Sequence, residues 1–343
     1  MACQVDQGPA LLGAGGAHSP MAVYGLREAL LEIEGQVGAL DAFSRVELPE
    51  APVGSIFVGA GDSYAAALAG FYASGGRCLA IDPYCLGSNP GIAKGRDVFF
   101  ISASGRTTSN IYAAKVVKST AKNTTALTAN EESPLTEEVA KTFKIPMRYV
   151  SKTPGIQSFS LSALAVLGMV GGRRPCDFAS VFRMAKEGSA KFCLGTGTTY
   201  LLGNSLAYPA ALYAAAKVYE ILGACAQAEL LEEFSHMELL SLRRSDAVDV
   251  FRHFDPSGVS VRLAAALRKG GYSAHVAPAR GKNMTERFFH CVFLAQFWSV
   301  AQARKIGLEG PRFLTQGGKL RISDSMIYPT GGELVRAKER RGT

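Results

Sequence analysis

No apolar run in this 343-residue sequence is long enough to cross a bilayer. The first basic residue is Arg27, so the charged start of a signal or transit peptide is missing and a cytoplasmic protein is expected. No two of the seven cysteines stand at C-x-x-C spacing. Neither a zinc site nor a disulfide framework is therefore expected, and most of the scattered thiols should be small core residues. A Walker A motif is absent, and despite 37 glycines no low-complexity stretch interrupts the chain. The net charge of +8 does not form a basic face interleaved with aromatics, so nucleic acid is not an expected partner. Nine Lys and Arg against four Asp and Glu fall between Arg304 and Thr343, which places most of the excess in a tail ending "RAKERRGT". The mildly basic body suits an anionic ligand.

The chain is 48% hydrophobic and 19% charged, enough for a large core. Apolar runs, glycine turns and alanine-rich stretches recur in two copies. "SIFVGAGDSYAAALAGFYA" opens one and "TTYLLGNSLAYPAALYAAAKVYEIL" the other; at an offset of 144 residues Gly59 meets Gly203 and Tyr64 meets Tyr208. Each is followed by a further strand-turn-helix pattern. Alternating strands and helices predict parallel sheets covered by helices, and the duplication predicts a seam near "GGRRPCDF", Gly171–Phe178. A leading helix is expected over "PMAVYGLREALLEIEGQVGAL". The expected organisation is an N-terminal segment and helix (1–50), a first α/β domain (51–172), a second (173–310) and a C-terminal tail (311–343).

Doubly wound sheets bind ligands where strands end and helices begin. Two turns of the first half fall there, "GAGDSYA" and "SASGRTTSN". Helix N-termini offer unpaired N–H groups, glycine allows close approach, and hydroxyls add donors. Ser63 on the first turn and Ser102, Ser104 and Thr107 on the second could surround a phosphate, with Arg106 adding a full charge. Ser and Thr are also ordinary helix caps; two such turns on adjacent strands favour a ligand. "GAGDSY" matches the dinucleotide fingerprint only in Gly59 and Gly61, with Tyr64 at the third glycine's place and Asp82 as the acidic residue further on.

These motifs, with "LGNSLAYPAALYAAAKVYE" and "EEFSHMEL", resemble the double sugar-isomerase (SIS) domain proteins. The resemblance covers about residues 20 to 316. The pattern is similar to the isomerase half of glucosamine-6-phosphate synthase and to stand-alone phosphosugar isomerases, deaminases and deglycases. It implies two tandem SIS domains, each a doubly wound parallel sheet flanked by helices in a flavodoxin-like three-layer sandwich. It implies a phosphorylated sugar as ligand, a homodimer with shared active sites, and neither metal nor organic cofactor. By resemblance, Gly61, Asp62, Ser63, Ser102, Ser104, Arg106 and Thr107 form the phosphate and substrate turns, and Ile156 and Ser158 of "TPGIQSFS" line the sugar. Lys217, Glu220 and His236 stand at the family's spacing. There the glutamate shuttles a proton between C1 and C2, and the histidine, from the partner subunit, helps open the ring.

Local chemistry supports part of this independently. The helix holding Pro209 in its first turn should end near Gly223. Glu220 then lies in its last turn, where the dipole and partial burial raise its pKa and Lys217, one turn back, lowers it. A surface i,i+3 ion pair is the alternative. Glu232, Glu233 and Glu238 surround His236 in sequence and would tune its protonation. His18 is a weak site candidate, and His253, His275 and His290 are expected to be structural.

The sequence departs from the family at three places. Ala103 replaces a polar amide between the two serines, Arg106 replaces an acidic residue, and Gln316 stands where the synthase has its imine-forming lysine, with Lys319 three beyond. No glutaminase nucleophile follows Met1, so ammonia transfer from glutamine is not expected of this chain alone. Three activities remain open: aldose–ketose isomerisation of a hexose or aminohexose 6-phosphate, aminosugar-phosphate deamination or deglycation, and sugar-phosphate sensing without turnover. A nucleotide-binding α/β protein is a fourth, weaker reading.

Overall fold

The computed structural model describes residues 24–147, 152–171, 175–189, 192–253 and 255–328. Cys3, His18, the start of the expected leading helix, residues 172–174 of the expected seam and residues 329–343 of the basic tail lie outside them. The first half runs α1 (Leu26–Phe43), β1 (Ile56–Val58), α2 (Asp62–Ala73), β2 (Leu79–Ile81), α3 (Pro83–Ser88), β3 (Asp97–Ile101), α4 (Thr108–Val117), β4 (Asn123–Thr128), α5 (Pro134–Glu138), β5 (Lys141–Lys144) and α6 (Ile156–Met169). The second runs α7 (Phe178–Gly188), β6 (Thr199–Gly203), α8 (Ala207–Lys217), β7 (Ala226–Leu230), α9 (Leu231–His236), β8 (Ala247–Arg252), α10 (Val259–Lys269), β9 (Ser273–Pro278) and α11 (Met284–Lys305). Two short helices, α12 (Arg312–Thr315) and α13 (Gly317–Ile327), follow.

Each half forms its own parallel sheet, in the orders β2-β1-β3-β4-β5 and β7-β6-β8-β9. The two orders are the same doubly wound plan, with the chain reversing direction between β1 and β3 in one and between β6 and β8 in the other. The crevice at such a reversal opens at the carboxyl ends of those strands. The sequence repeat has a steric cause at its glycines. A Cβ on Gly59 would lie 2.5 Å from the Ser63 carbonyl, and one on Gly203 would lie 2.6 Å from the Ala207 carbonyl. Both glycines let a strand run directly beneath the helix that follows it. Two positions on, Gly61 (φ 57) and Ser205 (φ 53) both take left-handed backbone.

One apolar core lies between the sheets and draws on both halves, including Phe57, Phe159, Tyr213 and Trp298. Helix α11 runs through it, and most of its residues are buried, polar Gln296 and Ser299 included. A polar chain crosses this core: Gln36 donates to Gln296 (2.6 Å), Ser160 to Gln36 (2.7 Å), and Gln296 to the Tyr213 hydroxyl (3.0 Å). Mutual satisfaction makes such a buried network tolerable.

Of the six described cysteines only Cys78 and Cys291 are buried, while Cys85 and Cys225 are exposed. The expectation of mostly core thiols is corrected: Cys85 sits in the first turn of the small helix α3, and Cys225 in the link from Gly223 to β7. The leading helix begins at Leu26, capped by Glu28 accepting from the Gly25 amide (2.9 Å). Among the described residues no helix is long and apolar enough to cross a membrane, and no group of three or more His, Cys, Asp or Glu could hold a metal ion.

Candidate active site

Both hydroxyl-bearing turns lie at the reversal point of the first sheet. Gly61, Asp62, Ser63, Ser102, Ser104, Thr107 and Ser158 line one cleft of about 480 Å³. In the turn after β3, the Ser102 oxygen accepts from the Gly105 amide (3.1 Å) and the Ser104 oxygen from the Arg106 amide (3.2 Å). Each hydroxyl oxygen is thereby occupied as an acceptor, leaving its own hydrogen to donate elsewhere. Helix α4 begins without a side-chain cap, so its first amides are available to an anion. Gly105, at φ 64, fits tightly: a Cβ there would meet the Ser133 hydroxyl.

The matching seat in the second half is filled by the protein itself. Asp255, following β8, accepts from the Val259 amide (2.9 Å), the Ser260 amide (3.1 Å) and the Ser260 hydroxyl. Only about 10 Å³ of space remains there, no more than one water requires. Among the described residues, the turn after β3 is therefore left open where its counterpart after β8 is filled.

The helix bearing Lys217 ends at Gly223 in left-handed backbone (φ 63). Its last turn is a π-turn, Val218–Leu222, instead of the expected α-turn, closed by the Gly223 amide bonding to the Val218 carbonyl. Such turns are often found at functional sites. Glu220 sits in this turn and faces a second cleft of about 740 Å³, which Arg106, Lys152, Tyr219, Gln316 and Lys319 also border. The two clefts share Ile327 and Tyr328 at the end of α13 as a common wall, and the Thr108 hydroxyl, at the start of α4, donates to the Ile327 carbonyl (3.0 Å).

Lys217 ties the two halves together. Its fully buried ammonium lies 2.5 Å from Glu220 and 2.9 Å from Asp62, and also donates to the Pro154 carbonyl. The Tyr213 ring lies 4.8 Å away on the preceding turn, a cation–π contact. Burial opposes the ammonium, but Asp62 and Glu220 outweigh it and raise the Lys217 pKa above the usual lysine value. Burial likewise raises the Asp62 pKa against the pull of Lys217. The Glu220 carboxyl is enclosed except toward the cleft. Burial pushes its pKa up to about 7, Lys217 pulls it down, and Asp62 repels its charge.

Gly155 makes this triad possible. It adopts φ 58, and a Cβ there would lie 2.3 Å from the Asp62 carboxylate and 3.4 Å from the Lys217 ammonium. Gly155→Ala is expected to cost about 1–3 kcal/mol through backbone strain and displacement of Asp62, read as a lower urea midpoint.

His236 is not brought to this site within the chain. Its side chain is 71% exposed and its ring lies 3.2 Å from Glu232; of its other acidic neighbours in sequence, Glu238 accepts from Gln227 instead (2.9 Å). Asp82 caps α3, accepting from the Tyr84 and Cys85 amides (2.8 and 3.2 Å). His290 is buried, and His253 and His275 are partly buried, all in the second half.

Sequence reasoning named Asp62 and Lys217 but not their pairing, and it missed Gly155 and Tyr213. Readable signals existed: the Pro154-Gly155 pair marks a special turn, and Tyr213 stands one helical turn before Lys217.

Two parallel sheets of one strand order, with paired glycine turns, constitute the double SIS-domain fold that the motifs resemble. Solved structures share it. A glucosamine-6-phosphate deaminase from Thermotoga maritima matches with a TM-score of 0.67 at 21% identity, over 83% of this chain and 96% of that one. A tagatose-6-phosphate ketose/aldose isomerase from Escherichia coli matches with a TM-score of 0.61 at 18% identity, over 83% and 91%. The C-terminal domain of a glucosamine-fructose-6-phosphate aminotransferase from Francisella tularensis matches with a TM-score of 0.59 at 15% identity, over 82% and 98%. No family model and no curated protein matches the sequence.

Proposed function

We propose that the protein is a phosphosugar isomerase acting on the open-chain form of a hexose or aminohexose 6-phosphate. The observation that carries this reading is Glu220, a carboxyl whose pKa burial pushes up to about 7 and that faces a cleft walled off from the hydroxyl-lined one by Ile327 and Tyr328, with Arg106 of the hydroxyl-bearing turn on its border. A base poised near the working pH can both take and return a proton. The names of the solved structures sharing the fold, two of them acting on sugar 6-phosphates, support the same substrate class.

In this reading the phosphate rests on the first turn of α4, receiving hydrogen bonds from Ser63, Ser102, Ser104 and Thr107. Glu220 removes the proton at C2 or C1 and returns it to the neighbouring carbon through an enediol. Lys217 holds the carboxylate in place and limits its pKa. His236 opens the ring from a partner subunit in a homodimer, a role that its exposure in this chain accommodates. No cofactor takes part.

The test is hydrogen exchange in heavy water, followed by NMR with fructose 6-phosphate and separately with glucosamine 6-phosphate. Exchange at C1 or C2 supports the reading, and ammonia release from the amino sugar would assign deamination. Thermal stabilisation by either sugar with no exchange would replace the isomerase by a sensor. Mixing Glu220→Gln with His236→Ala subunits should restore activity if sites are shared between subunits. Replacing both Ser102 and Ser104 by Ala is expected to weaken fructose 6-phosphate binding about a hundredfold or more, since each hydrogen bond to a charged group contributes about 1.5–3 kcal/mol; calorimetric titration reads this directly.

A further inference from the structure

The turn that seats Asp62 and Lys217 is held from a distance. Pro154 gives its carbonyl to the Lys217 ammonium and Gly155 gives its carbonyl to the Tyr213 hydroxyl (3.4 Å). Lys152 and Thr153, just before them, border the cleft beside Glu220. Gly155 is also the N-cap of α6, a position it fills without a side chain to cap with. The acceptor comes from another helix. The Glu32 carboxylate of α1 accepts from the Gln157 amide in the first turn of α6 (2.9 Å), across 125 positions of sequence. A carboxylate there meets an otherwise unpaired amide and the positive end of the helix dipole.

Glu32 is itself fixed. Its second oxygen accepts from the Tyr24 hydroxyl (2.6 Å). One helical turn on, Gln36 of the same helix accepts from the Ser160 hydroxyl of α6 (2.7 Å). Successive turns of α1 therefore grip successive turns of α6. The start of α1 also reaches the other flank of Glu220. The Leu26 amide donates to the Glu309 carbonyl (2.9 Å), just before α12. Helix α12 packs against the π-turn, where a Cβ on Gly223 would meet the Arg312 side chain. Glu32 borders neither cleft.

We infer that Glu32 is a positioning residue for Glu220: from α1 it pins the first turn of α6, and through the Pro154–Gly155 turn it keeps Lys217 and Asp62 where they fix that carboxylate. The inference deepens the proposed isomerisation and rests on it. The groups facing Glu220 are Lys217, Asp62 and Tyr213 within the wall. Arg106, Lys152, Lys319 and Tyr219 border its cleft, with Asp324 beside Lys152. Glu32 is not among them, so its influence runs through the backbone turn.

The experiment compares the wild type with Glu32→Ala and Glu32→Gln. Glutamine keeps an oxygen for the Gln157 amide and turns its NH2 to the Tyr24 hydroxyl, whereas alanine keeps neither contact. Exchange at C1 and C2 of fructose 6-phosphate is followed over substrate concentration, well below each variant's melting temperature. Glu32→Ala is expected to lower kcat about tenfold and to change KM less than about twofold, because a misplaced base slows the chemistry while the hydroxyl-lined seat stays intact. Glu32→Gln should restore kcat. A readout independent of turnover is the 13C carboxyl resonance of Glu220, assigned by its loss in Glu220→Gln. Burial pushes the Glu220 pKa up to about 7. The titration midpoint should fall in Glu32→Ala, as a loosened turn admits water beside the carboxyl, and stay in place in Glu32→Gln. Losses or shifts shared equally by the two variants would mean that Glu32 acts by its charge, and they overturn the inference. Unchanged kcat and midpoint in Glu32→Ala overturn it too, whatever happens to stability. If Glu32→Ala does not fold, Tyr24→Phe releases the carboxylate on one side only and should move both readouts the same way to a smaller extent; no movement sinks the inference. Absence of exchange in the wild type removes the isomerase reading and leaves the Glu220 titration to decide this one.

Discussion

Glu220→Gln is expected to slow hydrogen exchange at C1 and C2 by about 10²–10⁴-fold, the usual contribution of a positioned general base. The amide is nearly isosteric and can still accept a hydrogen bond from Lys217, so fructose 6-phosphate should continue to bind. A base acts in its ionised form, and burial pushes the pKa of this carboxyl up to about 7. The wild-type rate should therefore rise through about pH 7 and level off above it, and the variant should lose that limb. The same group has a sign in stability. Its pKa rises from the ordinary 4.5 to about 7 on folding, so the folded state holds the extra proton between those values. Its contribution is fully present below pH 4.5 and is lost as pH climbs through about 7. Undiminished exchange in the Gln variant would remove Glu220 from the reaction.

Lys217→Met should have the largest effect on folding. The ammonium is completely buried between two carboxylates, and removing it leaves Asp62 and Glu220 without their shared counter-charge. Breaking a buried pair in this way costs about 3–5 kcal/mol, visible as a lower urea midpoint. Loss of the neighbouring charge should also lift the Glu220 pKa further, moving the activity profile to higher pH. Adding Asp62→Asn should return part of the stability, because one buried charge has gone. If the two changes merely add, Asp62 and Lys217 are not coupled and the inter-half link is energetically idle. Raising the pH through neutrality should not break the pair. Lys217 has a raised pKa, so its contribution persists until the pH exceeds even the usual lysine range.

Much of this arrangement was legible in the chain because it is encoded locally. A glycine at the end of a strand, followed by an alanine-rich helix, specifies close strand–helix packing wherever it occurs. Gly59 and Gly203 announce the duplication by themselves. The turn after β3 carried its hydroxyls in plain view, and the Gly223 stop placed Glu220 at a helix end within a residue. The widening of that end into a π-turn was not legible, since an α-turn and a π-turn share one residue pattern and differ in packing, here against α12. Arg106 was assigned by sequence neighbourhood to the hydroxyl-lined cleft; its side chain borders the other one. A turn residue next to a ligand loop can point to either side of it, and nothing local decides which.

The sequence by itself determined the two parallel sheets, their repeated turns and the set of side chains able to perform acid–base chemistry. Periodicity, glycine placement and helix caps act over a few residues and require no knowledge of distant partners. Only the tertiary structure decided that Asp62 meets Lys217 across 155 positions, that Asp255 takes up the amides of the turn after β8, and that Arg106 and Lys319 share a cleft with Glu220. Those outcomes depend on how α2 seats against α8 and α13 against α4, where burial and charge are fixed by elements far apart in the chain.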